Sequence, residues 1–133
     1  MLPKSILYIL RAMTVLALLP AGQFKGASEI ARELDLPGNY LGKMLQLLAK
    51  KGLLKSRKGL GGGFSLSRLP GDINLLEVIE AFNERPLYGV CFWGDKKCPE
   101  KKRCSIHEKW EPIIEQTREL YKTTTIADIN ESI

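Results

Sequence analysis

Two apolar-periodic segments stand close together between Ser28 and Gly52, with the breaker DLPGN between them, and no other feature narrows the fold so far. Ile30, Ala31 and Leu34 recur at helical spacing in the first, and Leu41, Met44, Leu45 and Leu48 in the second. Ser28 can cap the first helix, the second begins near Asn39, and Gly52 suits its end. Two short helices joined by a tight turn form a helix-turn-helix pattern. Directly after it comes LLKSRKGLGGGFSLSR, whose ends read as strands and whose KGLGGG middle reads as a hairpin tip. The glycines do not make a phosphate loop, because no Gly-Lys-Ser/Thr follows and no helix opens there. A hairpin placed after such a helix pair is a wing.

The flanking segments complete a mostly α chain with a small β-hairpin wing. Ile6, Ile9, Leu10, Met13, Leu16 and Ala17 predict an opening core helix that ends near Pro20 and Gly22. Arg11 interrupts the apolar run, which is too short for a membrane span, so a buried helix in a cytoplasmic protein is expected rather than a signal peptide. INLLEVIEAFN predicts a further amphipathic helix that closes the domain near Asn83. A last long helix carries Trp110, Ile113, Ile114, Thr117 and Tyr121 on one side, with Pro112 in its first turn or at a kink. A matching helix from a second subunit would cover that stripe in a two-fold dimer, or it could pack back on the first helix. The expected division is residues 1–83 as a winged helix-turn-helix domain, 84–104 as a cysteine-bearing loop, and 105–133 as a dimerisation helix and tail.

Charge points to a polyanionic partner. The chain nets +5, but residues 36–71 hold no acidic residue and seven basic ones, Lys43, Lys50, Lys51, Lys55, Arg57, Lys58 and Arg68. A one-signed block within a folded region fits nucleic acid. With the leucines turned inward, the second helix presents Asn39, Tyr40, Lys43, Gln46 and Lys50. Lys can donate to guanine and Gln or Asn can pair with adenine in a major groove, while Lys50 holds phosphate. Arg57 and Lys58 beside the hairpin glycines suit a minor groove. Ser28 and Gly61 complete the candidate DNA contacts. A dimer would set two such units about 34 Å apart on a pseudo-palindromic duplex.

All three cysteines and the single histidine fall in the 17 residues CFWGDKKCPEKKRCSIH, spaced C-x6-C-x5-C-x2-H. Cys91, Cys98, Cys104 and His107 could supply four ligands to an iron–sulfur cluster, and Lys96, Lys97, Lys101, Lys102 and Arg103 would favour thiolates and an anionic cluster. Structural zinc is a rival, although it favours shorter knuckles; in that reading Phe92 and Trp93 would be stacking aromatics. A disulfide switch is a third alternative. No catalytic constellation is visible around Cys104 and His107, so no enzyme and no catalytic residue is expected.

Taken in order, SEIAREL, YLGKMLQLLAKKGLL, RKGLGGGFSL, INLLEVIEAF, the three cysteines and TIADI span nearly the whole chain. In this arrangement the chain resembles the Rrf-type winged-helix repressors, a family that includes the iron–sulfur cluster regulator IscR and the nitric-oxide-sensing repressor NsrR. The resemblance implies a homodimeric DNA-binding regulator, with repression the expected sense, and a cluster between the wing domain and the dimer helix. It implies Cys91, Cys98 and Cys104 as ligands, with His107 in the place of the fourth. A [2Fe–2S] cluster is favoured, with [4Fe–4S] the alternative because the first gap is one residue longer than in many IscR-like members. Lys58 and Leu60 stand where the family usually has Arg and Pro, and Gly42 and Lys43 where IscR-like proteins often have Glu and Gln.

Overall fold

Helical periodicity in the first half of the chain becomes a three-helix platform. The computed structural model describes residues 2–82, 92 and 105–130. Helix α1 (Lys4–Ala17) buries Ile6, Ile9, Leu10, Ala12, Met13 and Leu16, and its interior Thr14 satisfies its hydroxyl by donating to the Arg11 carbonyl at 2.6 Å. It ends at Ala17, earlier than Pro20 and Gly22 suggest, with Leu18 capping back to Val15 and Leu16. No helix among the described residues is long and apolar enough to cross a membrane.

Helices α2 (Ala27–Leu34) and α3 (Gly38–Lys50) form the helix-turn-helix, turned at Asp35, whose backbone is left-handed (φ 54). The pair crosses closely at small residues: added Cβ atoms on Gly38 and Gly42 would stand 3.7 Å from Ala31 and Ala27. Leu41, Met44, Leu45 and Leu48 all turn into the core, as their spacing requires. Ser28 is not a cap. Lys25 is held extended by pairing with Phe64, so the first helical residue is Ala27, Gly26 takes the N-cap position, and Ser28 lies exposed within the first turn.

Strands β1 (Leu54–Arg57) and β2 (Gly63–Leu66) pair antiparallel, with Leu54 opposite Leu66 and Arg57 opposite Gly63. Phe64 points into the core while Lys25 N–H donates to its carbonyl at 3.0 Å and its own N–H donates to Lys25 O at 2.8 Å. That third segment tethers the wing to the start of α2. Gly63 makes the approach feasible, because a Cβ there would lie 2.3 Å from the Lys25 carbonyl carbon.

A 3-10 turn (Pro70–Asp72) leads to α4 (Leu75–Phe82), which buries Leu75, Leu76, Val78 and Ile79. Its start is a capping box: Glu77 N–H donates to Asn74 Oδ1 at 2.9 Å, and Asn74 N–H donates to Glu77 Oε2 at 3.1 Å. Helix α5 (His107–Thr123) packs on α4. It is followed by α6 (Ile126–Asn130), a short helix capped by Thr125 and Asp128 that returns to α1. Backbone bonds from Leu75 N to Thr124 O and from Ile126 N to Ile73 O join the starts of α4 and α6. Tyr121 and Ile126 thereby enter the same core as α1 to α4.

Pro112 lies in the second turn of α5, beyond the first, where its missing N–H costs a helical bond. The expected apolar stripe divides: Ile114 and Tyr121 are buried, while Ile113 is 48% exposed and forms an outer row with Leu120, which the stripe did not include and which is 59% exposed.

Candidate nucleic-acid interface and sensor residues

Lys43 and Gln46 sit on the crest between two open grooves. The first, about 520 Å³, runs between α3 and the wing and is lined by Lys43, Gln46, Leu47, Lys50, Leu54 and Ser56. The second, about 540 Å³, runs between α2 and α3, where Ser28, Asn39, Gly42, Lys43, Gln46 and Phe64 meet. The fold thus gathers Ser28, Asn39, Lys43, Gln46 and Lys50 around one helix face. Tyr40 is half exposed but lines neither groove. Lys58 and Gly61 stand exposed at the hairpin tip, with Leu60 between them fully in solvent. All nine candidate contacts are exposed.

Cations dominate this surface because residues 36–71 carry no acid and two carboxylates near it are already paired. Glu33 pairs with Lys25, and Glu77 pairs with Arg68 at 2.9 Å. Lys43, Lys50, Arg57 and Lys58 keep exposed side chains with no carboxylate partner among the described residues. Such charges attract a phosphate backbone through release of its counterions, an effect that weakens steeply with salt. Sequence spacing did not single out Ser56 and Leu47, which line the first groove because β1 runs beside α3. Nor did it single out Phe24, whose ring lies under Arg57 with 5.4 Å from guanidinium carbon to centroid. That contact joins segments separated by the whole helix-turn-helix, so no local pattern announces it.

Of the four expected metal ligands, Cys91, Cys98 and Cys104 lie outside the described residues, and His107 is the first residue of α5. Its side chain is mostly buried. Nε2 is fully shielded and makes no hydrogen bond among the described residues, although Glu111 Oε2 stands 3.2 Å away in the next turn. A nitrogen buried without a hydrogen bond is costly unless something else engages it. It therefore fits a ligand role, and three thiolates with one imidazole are a donor set suited to an iron–sulfur cluster. Phe92 meets Trp110 edge-on at 5.3 Å and stays 44% exposed; Trp93 lies outside the described residues.

Known proteins share both the sequence and the shape. An Aquifex aeolicus protein, whose name assigns it to the HTH-type transcriptional regulators, is 35% identical over 127 residues, covering 94% of this chain and 88% of its own. The regulator IscR of Xenorhabdus nematophila is 33% identical over 89 residues, covering 67% of this chain and 54% of its own. Among solved structures, the B. subtilis global cysteine regulator CymR superposes with a TM-score of 0.83 at 24% identity, over 100% of this chain and 98% of that one. T. potens IscR superposes with a TM-score of 0.78, also at 24% identity, over 99% and 87%. These likenesses establish the winged-helix fold, and the relatives are transcriptional regulators rather than enzymes. The profile of Rrf2, described as an iron-dependent transcriptional regulator, matches residues 2–132, and the chain belongs to the Rrf2 family of transcriptional regulators.

Proposed function

We propose that this regulator acts as a cytoplasmic homodimer whose grip on a pseudo-palindromic operator is set by an iron–sulfur cluster, with repression as its sense. Residues 1–83 bind DNA, 84–104 carry the cysteines, and 105–133 supply the dimer helix. Lys43, Gln46 and Asn39 read base edges in the major groove. Lys50 and Ser28 meet phosphates, and Arg57, Lys58 and Gly61 bring the wing to the adjacent minor groove. Tyr40 lies at the margin of this surface. The exposed Ile113 and Leu120 row of α5 is the seam offered to the second subunit, because Ile114 and Tyr121 are already used inside.

The observation that carries the sensor is His107. Its shielded Nε2 sits at the first residue of the helix that bears the dimer seam. Cys91, Cys98, Cys104 and His107 would hold the cluster, [2Fe–2S] by preference, and when bound it would supply a bond network that oxidants, nitric oxide or iron shortage can break. Anchored at His107, the cysteine loop restrains the start of α5, and α5 packs on α4 at the edge of the DNA-binding domain. Releasing that restraint shifts the population of dimers with correctly spaced α3 helices. Replacing Cys91, Cys98, Cys104 or His107 by Ala, one at a time, should lower iron and sulfide content and change operator affinity. Zinc in place of iron, or an oxidised disulfide with no metal, would overturn the reading, as would four variants that bind and respond like the wild type.

A further inference from the structure

Arg57 ends β1, and the register places Gly63 opposite it, so no cross-strand side chain competes for its space. Its guanidinium carbon lies 5.4 Å from the centroid of the Phe24 ring, within cation–π range. Phe24 directly precedes Lys25, whose N–H and carbonyl both bond to Phe64 of β2. The aromatic ring is therefore carried by a backbone segment fastened to the wing itself. Gly63 also permits that fastening, since a Cβ there would collide with Lys25. Arg57 stays exposed and has no carboxylate partner among the described residues, whereas neighbouring Lys58 has no aromatic contact among them.

We infer that Phe24 is a positioning residue for DNA binding: its ring holds Arg57 so that the wing presents one ordered guanidinium to the minor groove. A long, flexible side chain loses rotamer freedom when it binds, and one already held against a ring loses less. Arg suits the task better than Lys, because its planar guanidinium packs on an aromatic face and keeps donors for DNA. The pairing gives this chain its own wing cation beside Lys58, and it extends the DNA surface to a residue outside both the helix-turn-helix and the hairpin. The inference rests on the DNA-binding reading above.

The test uses full-length protein and a short duplex selected by the wild type from a randomised pool, with affinity read by fluorescence anisotropy over a salt series. Phe24→Leu, which keeps apolar bulk and removes the π face, should weaken binding by about two- to five-fold, as an exposed cation–π contact converts to affinity. Phe24→Trp should restore wild-type affinity or exceed it. Arg57→Ala should lower the salt slope by about one, and in that background Phe24→Leu should have no further effect. Equal losses from Phe24→Leu with and without Arg57, or none in either, would overturn the inference. Failure of the wild type to select any duplex would instead overturn the DNA-binding reading.

Discussion

Replacing Gly63 by Ala tests whether the close approach of the Lys25 segment holds the wing in place. Gly63 has φ +133, a region strained for any residue with a Cβ, at a cost of about 1–3 kcal/mol. The new methyl would also stand 2.3 Å from Lys25 C, 2.4 Å from Lys25 O and 2.5 Å from Gly26 N, all backbone atoms that cannot rotate away. Relieving the collision separates the strands and breaks the Lys25–Phe64 pair of hydrogen bonds at 3.0 and 2.8 Å, worth about 1 kcal/mol each. The total is about 3–5 kcal/mol, a large share of the roughly 5–15 kcal/mol that stabilises a domain. At about 3–4 °C per kcal/mol for a chain of this size, Tm should fall by roughly 10–20 °C. Thermal unfolding followed by circular dichroism measures it, with Gly71→Ala as the control, since nothing lies within 4 Å of a Cβ at Gly71 and that position should move little. A Gly63→Ala variant melting within about 2 °C of the wild type would refute the steric argument. The same variant should weaken DNA binding, because Phe24 loses its place under Arg57.

Gly42→Ala should do the opposite for stability: its Cβ would meet Ala27 at an ordinary 3.7 Å, so helix propensity dominates and the protein gains about 0.5–1 kcal/mol by denaturant unfolding. Burial raises the Tyr121 hydroxyl pKa above its usual 10.0, so the neutral side chain stabilises the fold fully below pH 10 and that contribution is lost as pH rises through the higher folded value. Tyr121→Phe should flatten that part of the alkaline decline, as read by unfolding midpoints over a pH series. Lys50→Ala should weaken binding to all duplexes alike and lower the salt slope by about one, whereas Gln46→Ala should change base preference at one position of a selected duplex pool. Thr125→Val removes one half of the α6 capping box and should cost about 1 kcal/mol in thermal or chemical unfolding.

The helix-turn-helix and its wing were legible because each is a local pattern. Leu41, Met44, Leu45 and Leu48 can be buried together only on a helix, and the glycines between two short strands can only be a tip. Predicted details failed where a distant segment decides. Ser28 is a good cap in isolation, yet pairing of Lys25 with Phe64 moves the cap to Gly26. The apolar residues of α5 read as one stripe, but the capture of Tyr121 by the core splits it into an inner and an outer row. Helix α6 was readable in principle, since Thr125 and Asp128 stand at capping-box spacing before an apolar-polar alternation. At the candidate site, the face of α3 was visible from spacing alone. The groove against β1 depends on how the strand turns back beside α3, the Phe24–Arg57 contact joins segments far apart in sequence, and the shielding of His107 Nε2 has no signature in residue spacing.

If iron–sulfur occupancy sets DNA affinity, as proposed, metal content and operator affinity must change together in one sample. Protein purified without oxygen is assayed for iron, sulfide and zinc, and the same sample is titrated with its selected duplex before and after the iron is removed by a chelator. The expected result is iron and sulfide in equal amounts and a change in Kd of about ten-fold or more, a coupling of at least about 1.4 kcal/mol between cluster and DNA. A colourless protein holding zinc, or a Kd unchanged by loss of the iron, would contradict it and leave the basic surface of α3 and the wing as an interface without a cluster switch.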